Sequence, residues 1–208
     1  MPADDFRSPR ALVGRHVALV PLERRWGDEL ARAATDPELG RYLRYPPGPR
    51  REQLDAVIER HLRGLAYGTD LPFVVRLPDG PAVGMTNYLR IDRRNRAVEI
   101  GGTWLDPRHW RTAVNTEAKY LLLRHAFEEE RYHRVQLQTD LRNERSQRAI
   151  ERIGGTREAV LREDALVPGP YWRSSVMYSL LADEWPAAKA RLEARMARPG
   201  TAGTGSPP

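Results

Sequence analysis

A short basic loop carries the clearest chemical signal in this sequence. It runs from Arg108 to Ala113, between a predicted buried strand, Val98–Leu105, and a predicted helix, Val114–Glu129. The first N–H groups of a helix have no partner within the helix, and the helix dipole adds positive potential at that end. A loop that enters a helix in this way is suited to bind phosphate. The residue order therefore predicts an anion-binding site at the start of this helix.

Two further elements position polar side chains next to this loop. The segment Arg134–Asp140 alternates apolar and polar residues and predicts a strand. Asn143 and Ser146 open a second helix, and the glycine pair Gly154-Gly155 ends it. The two strands and the first helix predict a central βαβ unit with one parallel strand pair.

Three polar residues of this unit have both a structural and a chemical interpretation. Asn143 and Ser146 have the residue types and spacing of a helix cap. Glu99, in the strand before Gly101-Gly102, could form a cross-strand ion pair with an arginine. From residue types alone these structural interpretations stay open.

The order and spacing of several motifs resemble the GCN5-related N-acetyltransferase (GNAT) superfamily, in its RimJ/RimL-like branch. The resemblance covers roughly Gly14 to Arg195. It is carried by Glu99-Ile100-Gly101, Trp104-Leu105-Asp106-Pro107, Trp110 to Ala118, Asn143-x-x-Ser146 and Arg173 to Leu180. The resemblance implies an α+β fold with a mixed, mostly antiparallel central sheet flanked by helices. It also implies an acetyl-CoA-dependent N-acetyltransferase.

The resemblance assigns the cofactor to two stretches of the chain. Backbone groups of Trp104 and Leu105 are expected to pair with the pantetheine arm of coenzyme A. The pyrophosphate is expected on the loop and first helical turn, at Trp110, Arg111, Thr112, Ala113, Val114 and Asn115. The family loop usually has glycine at the positions of Ala113 and Asn115. Glycine is needed only where φ is positive or the ligand is very close, so the sequence still predicts binding.

The resemblance also assigns catalytic roles. Asn143 and Ser146 are expected to contact the thioester region, with Asn143 orienting it and Ser146 donating a proton to the departing sulfur. Many GNAT enzymes use a tyrosine four residues further on, where this chain has Ile150. Glu99 is expected to accept the proton of the amine, directly or through water. Segment Arg41 to Arg50 lies where the family builds its acceptor pocket.

The remainder of the chain predicts one domain. Residues 1–10 are expected to form a mobile N-terminus, 11–197 a single GNAT-like domain, and 198–208 a disordered Gly/Ser/Pro tail. Further predicted strands are 12–22, 72–77, 82–90, 157–161 and 173–181, and further predicted helices are 26–34, 53–66 and 184–196.

Composition excludes several classes of protein. The 208 residues are 40% hydrophobic and 30% charged, as in a soluble globular domain. No apolar run reaches the length of about 20 residues that spans a bilayer. There is no cysteine, so zinc–thiolate sites and a cysteine nucleophile are excluded, and no metal is expected. The net charge is +6, but the arginines are scattered among 28 acidic residues, which argues against nucleic-acid binding. The N-terminus lacks the apolar segment of a signal peptide, so a cytoplasmic protein is expected.

The sequence thus predicts transfer of an acetyl group from acetyl-CoA to a primary amine by direct attack in a ternary complex. The acceptor is a protein N-terminus, an amino acid or a small-molecule amine, and a homodimer is compatible with the resemblance. The alternative is a non-catalytic GNAT fold that binds a ligand or a protein, supported by the missing loop glycines. A screen of amine acceptors with acetyl-CoA would separate the two.

Overall fold

The fold is built on one mixed sheet with helices on both faces. The computed structural model describes residues 9–46, 50–167, 169 and 171–197. Its strands are β1 (Leu12–Val13), β2 (Ala18–Pro21), β3 (Leu71–Arg76), β4 (Ala82–Asp92), β5 (Ala97–Leu105), β6 (Arg134–Asp140), β7 (Thr156–Val167) and β8 (Tyr171–Leu181). Its helices are α1 (Gly27–Ala33), α2 (Arg51–Tyr67), α3 (Ala113–Arg124), α4 (Glu144–Arg152) and α5 (Trp185–Ala197). A π-helical turn, His125–Glu129, continues α3.

The strands lie in the order β1-β2-β3-β4-β5-β6-β8-β7. The β5–β6 pair is parallel, and every other neighbouring pair is antiparallel. Helix α3 connects the two parallel strands, so the predicted βαβ unit and the mostly antiparallel α+β sheet are confirmed.

Each face of the sheet has its own apolar core. Helices α3 and α5 cover one face, where Val98, Ile100 and Val135 are buried. Helices α1 and α2 cover the other, where Met85 and Trp104 are buried. Because successive strand residues point to opposite faces, Glu99 of β5 and Gln136 and Gln138 of β6 project toward the α1–α2 side. Polar residues thus follow one face of the sheet.

The predicted strand 12–22 is wrong in one respect, because it is a hairpin of two short strands. Residues Gly14 to Val17 turn the chain back. The carboxylate of Glu117, on α3, accepts the backbone N–H groups of Arg15, His16 and Val17 at 2.5–2.9 Å. A buried side chain distant in the sequence therefore fixes this turn, which local patterning could not indicate.

The predicted strand 157–161 is too short. Strand β7 continues to Val167 and so contains Asp164. The register of its pairing with β8 shifts between Leu161 and Ala165, and this shift interrupts the alternation of side chains between the two faces of β7.

Several predicted regions lie outside the described residues. These are positions 1–8 of the predicted mobile N-terminus, positions 47–49 of the predicted acceptor segment, the predicted disordered tail 198–208, and positions 168 and 170.

Candidate functional site

The sheet opens into a cleft between its two parallel strands. Strands β5 and β6 pair only from Ala97 to Glu99, opposite Arg134 to Gln136. Beyond that point β5 continues on β4 alone and β6 on β8 alone. The cleft side of β5, from Ile100 to Leu105, therefore has backbone groups with no partner on β6. Such an edge can pair with an extended, amide-containing ligand.

A glycine bulge bends β5 at this opening. The pairing with β4 shifts between Asn87–Gly101 and Met85–Trp104, so β5 contains one extra residue. Gly102 has a φ of +59°, and a Cβ there would lie 2.6 Å from Nδ2 of Asn87. That nitrogen instead donates to the carbonyls of Gly101 and Gly102 at 3.1 and 3.4 Å. Because bulges redirect a strand, this one accounts for the separation of β5 from β6.

The N-terminus of α3 faces the end of the β5 strand. Thr112 is the N-cap residue, and its hydroxyl accepts the N–H of Val114 at 3.3 Å. The indole N–H of Trp110 donates to the carbonyl of Leu105 at 2.8 Å and ties the loop to β5. The positive φ of the loop is at Arg111, +62°, rather than at Ala113 or Asn115. The two substituted glycine positions therefore need no glycine on backbone grounds.

The arginines around this loop differ in their contacts, because one is paired with a carboxylate, one is exposed and one lies over an aromatic ring. Arg108 pairs with Asp106 through Nε at 3.0 Å, and this hydrogen bonding lowers the pKa of the Asp106 carboxyl. Arg108 is thus neutralised locally. Arg111 is exposed. Arg145, on α4, stacks over the Trp110 ring with its guanidinium carbon 4.0 Å from the ring centre, so it spans the cleft mouth.

Asn143 and Ser146 lie at the start of α4, as predicted. The side-chain oxygen of Asn143 accepts the backbone N–H of Ser146 at 3.1 Å, so the capping interpretation is realised. Within the described part of the chain, the Ser146 hydroxyl has no hydrogen-bond partner. Ile150 is 6% exposed and lies in the core on the α3 side. The hydroxyl of Ser146 is therefore unengaged, whereas Ile150 serves packing.

Glu99 is buried where the cleft begins, with 3% of its surface exposed. Its Oε1 accepts the side-chain amide of Gln138, on the other wall, at 2.7 Å. Its Oε2 lies 3.1 Å from Nη1 of Arg90, so the predicted ion pair is present, but without hydrogen-bond alignment. One carboxylate oxygen thus lacks a hydrogen bond among the described residues.

Sequence reasoning missed a polar cluster next to Glu99. Arg44, from the predicted acceptor segment, donates to Gln138 at 3.2 Å and to Ser175 at 3.4 Å, and it pairs with Asp164. Arg173 of β8 donates to the carbonyl of a nearby residue, Tyr42, at 3.1 Å. These contacts join residues far apart in the chain, which hides them from any local pattern. The sequence contained one sign of this cluster, because every second residue of β6 is polar.

A buried lysine lies on the opposite face of the same strands. Nζ of Lys119, on α3, donates to the hydroxyl of Thr103 at 2.6 Å and lies 3.4 Å from that of Thr86. Burial lowers the pKa of Lys119 to about 7, since no carboxylate among the described residues pairs with it. The Lys119 amine therefore loses its proton far more readily than the amine of an exposed lysine.

This arrangement agrees with a comparison against known families. Residues 16–156 match the acetyltransferase (GNAT) domain. The chain belongs to the GNAT acetyltransferase family. The matched region contains the cleft, the loop, α3 and α4, so the family and the enzyme class predicted from the sequence are confirmed.

One relative of this GNAT chain is described as a candidate ribosomal N-acetyltransferase. The chain is 35% identical over 113 residues to this Bacillus subtilis (strain 168) protein, YdaF. That alignment covers 54% of this chain and 61% of the relative. The chain therefore matches a little under two thirds of that protein's length.

Solved structures resemble this GNAT chain over nearly all of its length. A candidate acetyltransferase from T. thermophilus is 40% identical, with a TM-score of 0.82 and coverage of 91% of this chain and 98% of the other. Mycobacterium smegmatis RimJ in complex with CoA-disulfide is 24% identical, with a TM-score of 0.76 and coverage of 91% and 93%. At that identity the second comparison shows the fold.

No helix in the described ranges is long and apolar enough to cross a membrane.

Proposed function

We propose that this GNAT protein transfers the acetyl group of acetyl-CoA to a primary amine by direct attack within a ternary complex. The observation that carries the proposal is the cleft between β5 and β6. It begins at the buried carboxylate of Glu99 and extends toward the N-terminus of α3. One opening thus joins a hydrogen-bonding edge, an anion-binding helix end and a candidate base.

The described residues fit coenzyme A at both ends of this opening. The pantetheine arm would lie along β5 beyond Glu99, where backbone groups have no β6 partner. Of the two residues predicted to pair with this arm, Leu105 already accepts the Trp110 indole N–H at its carbonyl, and Trp104 is paired with Met85 of β4. The arm would therefore use the remaining cleft-side groups of β5. The pyrophosphate would bind the first N–H groups of α3, between Arg111 and Asn115.

The thioester supplies an activated acyl carbon, and side chains of this protein accept and donate the protons. The neutral amine attacks the carbonyl carbon, the C–S bond breaks, and an amide forms. Glu99 takes the amine proton directly or through water, and its Oε2 has no competing hydrogen bond among the described residues. Ser146 donates a proton to the leaving sulfur, and Asn143, whose side-chain oxygen also caps the start of α4, orients the thioester region. These roles are the sequence predictions, and they remain proposals.

The non-catalytic alternative makes a different prediction. Its main support was the replacement of two loop glycines. Ala113 and Asn115 have negative φ, so this replacement does not require a distorted loop. The alternative predicts coenzyme A binding without product formation.

The test is a screen of primary amines with acetyl-CoA, reading free thiol release and confirming each product by mass. Glu99→Gln keeps the contact to Gln138 but removes the base, so we expect turnover to fall most at low pH, where neutral amine is scarce. Glu158→Gln is the matched control, because Glu158 pairs with Arg134 on the same sheet, outside the cleft. Coenzyme A binding with no acetylated product from any amine would favour the non-catalytic alternative.

A further inference from the structure

Four charged side chains on the polar sheet face have buried atoms that lack hydrogen-bond partners in the described part of the chain. The atoms are Nε of Arg44, Oε2 of Glu99, Oδ1 of Asp164 and Nε of Arg173. Buried polar groups normally have partners, because an unsatisfied one costs about 1–3 kcal/mol. Their concentration at the proposed acceptor side of the cleft is therefore suited to binding a polar ligand.

Contacts order this cluster along the sheet face. Gln138 is hydrogen-bonded to both Glu99 and Arg44, and Arg44 is in turn hydrogen-bonded to Ser175 of β8. Arg173 lies two residues before Ser175 on the same strand and therefore on the same face. The carboxylate of Glu99 marks the cleft end of the row, and Arg44 and Arg173, with Asp164 paired to Arg44, mark the other end.

Arg173 is the arginine without a carboxylate of its own. The three carboxylates of the cluster each have another arginine as ion-pair partner, in the pairs Glu99–Arg90, Asp140–Arg142 and Asp164–Arg44. Arg173 is 4% exposed, and no ion pair with it occurs among the described residues. Its hydrogen bond there is a single one, from Nη1 to the Tyr42 carbonyl. Burial lowers the pKa of the Arg173 guanidinium, and the charge of Arg44 acts in the same direction, whereas the charges of Asp140, Asp164 and Glu99 raise it.

A buried guanidinium with free donors is suited to a carboxylate. Arginine presents paired N–H groups that match two carboxylate oxygens, and such charge-assisted pairs are among the stronger hydrogen bonds. An anion at this place would also relieve the repulsion between Arg173 and Arg44. A polycationic acceptor would instead bring another positive charge beside a buried one.

We propose that Arg173, together with Arg44, binds a carboxylate carried by the acceptor, so that the acceptor is an amine that is also a carboxylic acid. This inference rests on the proposed acetyl transfer. The amine end would face Glu99 and the carboxylate end would face the arginines, in the order that the cluster presents them. The carboxylate could be the α-carboxylate of a free amino acid or the side chain of an acidic first residue of a peptide.

The experiment compares acids with their neutral amides. Acceptors are L-alanine and L-alanine amide, tripeptide amides that begin with aspartate or with asparagine, and spermidine as a polycation. Each is assayed for kcat/KM with the full-length wild-type chain and with Arg173→Gln, whose folding is checked by thermal melting. We expect at least one acid to exceed its amide by about tenfold or more in wild type, and Arg173→Gln to remove that preference. The alanine pair and the peptide pair distinguish the two carboxylate sources.

A binding arm separates this inference from the proposed reaction. The N-acetylated acids and their N-acetylated amides are titrated calorimetrically into wild-type protein that holds coenzyme A. Tighter binding of an acid supports the carboxylate site even if no amine is turned over, in which case the proposed reaction fails alone. Equal binding and equal turnover of acids and amides, or a clear preference for spermidine, would overturn the inference. The wild-type comparison decides this even if Arg173→Gln does not fold.

Discussion

Replacing Glu117 with alanine should destabilise the protein without removing its chemistry. Its carboxylate accepts three backbone N–H groups of the β1–β2 turn. An orphaned buried donor costs about 1–3 kcal/mol. The N–H of Val17 is buried, whereas exposed Arg15 and half-buried His16 can regain water, so the expected total is about 2–4 kcal/mol. For a protein of this size each kcal/mol lowers the melting temperature by about 2–4 °C. We therefore expect a loss of about 4–16 °C in a thermal melt.

The control for this variant is Glu144→Ala. Glu144 is exposed and pairs with Arg148 one turn along α4. Removing an exposed helix pair of this kind should cost about 0.5 kcal/mol or less. Acetyl-transfer rate and the KM for acetyl-CoA, measured well below the melt, should stay within about twofold of wild type for both variants. A Glu117→Ala melting temperature within about 2 °C of wild type would refute the reasoning. A large loss of rate in the folded variant would instead place Glu117 in the catalytic site.

Three further predictions concern the cleft and its surroundings. Ser146→Ala should lower kcat by roughly 10²-fold with an unchanged KM for acetyl-CoA, and unchanged turnover would leave Ser146 as part of a helix start only. Arg145→Gln should raise the KM for acetyl-CoA by about three- to tenfold, while Arg148→Gln should not, and equal effects would refute a specific role for Arg145. Lys119→Met should raise the denaturant midpoint at pH 7. The folded pKa of about 7 lies below the ordinary 10.5, so the unfolded chain binds more protons between these values. The free energy of unfolding of the wild-type protein should therefore rise relative to that of the variant as pH rises from 7 to 10.5. A constant difference between the two would contradict this.

The central unit of the fold was predictable because its signals are local. Strand β6 was predicted with its observed ends, and Asn143 was predicted at the start of α4. The predicted helix Val114–Glu129 corresponds to α3 and its π-helical turn, because one apolar face continues through both. Periodicity and capping act over a few residues and can be read from one sequence.

The polar cluster around Arg44 and Arg173 could not be predicted in the same way. Arg44 meets Asp164 across 120 residues, and Arg173 is recognisable as unpaired only when the partners of its neighbours are known. The positive φ value in the loop before α3 is at Arg111, whereas the family pattern drew attention to Ala113 and Asn115. Charge pairing and backbone strain arise from tertiary structure, so residue spacing alone does not reveal them.

Thermal melting with acetyl-CoA tests the central claim most directly. If the cleft between β5 and β6 and the start of α3 hold the cofactor, ligand at about 100 times its Kd should stabilise the fold by about 2.7 kcal/mol. For a protein of this size that corresponds to a rise of roughly 5–10 °C in the melting temperature, with acetyl-CoA and with coenzyme A alike. A folded sample whose melting temperature moves with neither ligand at millimolar concentration would contradict the account.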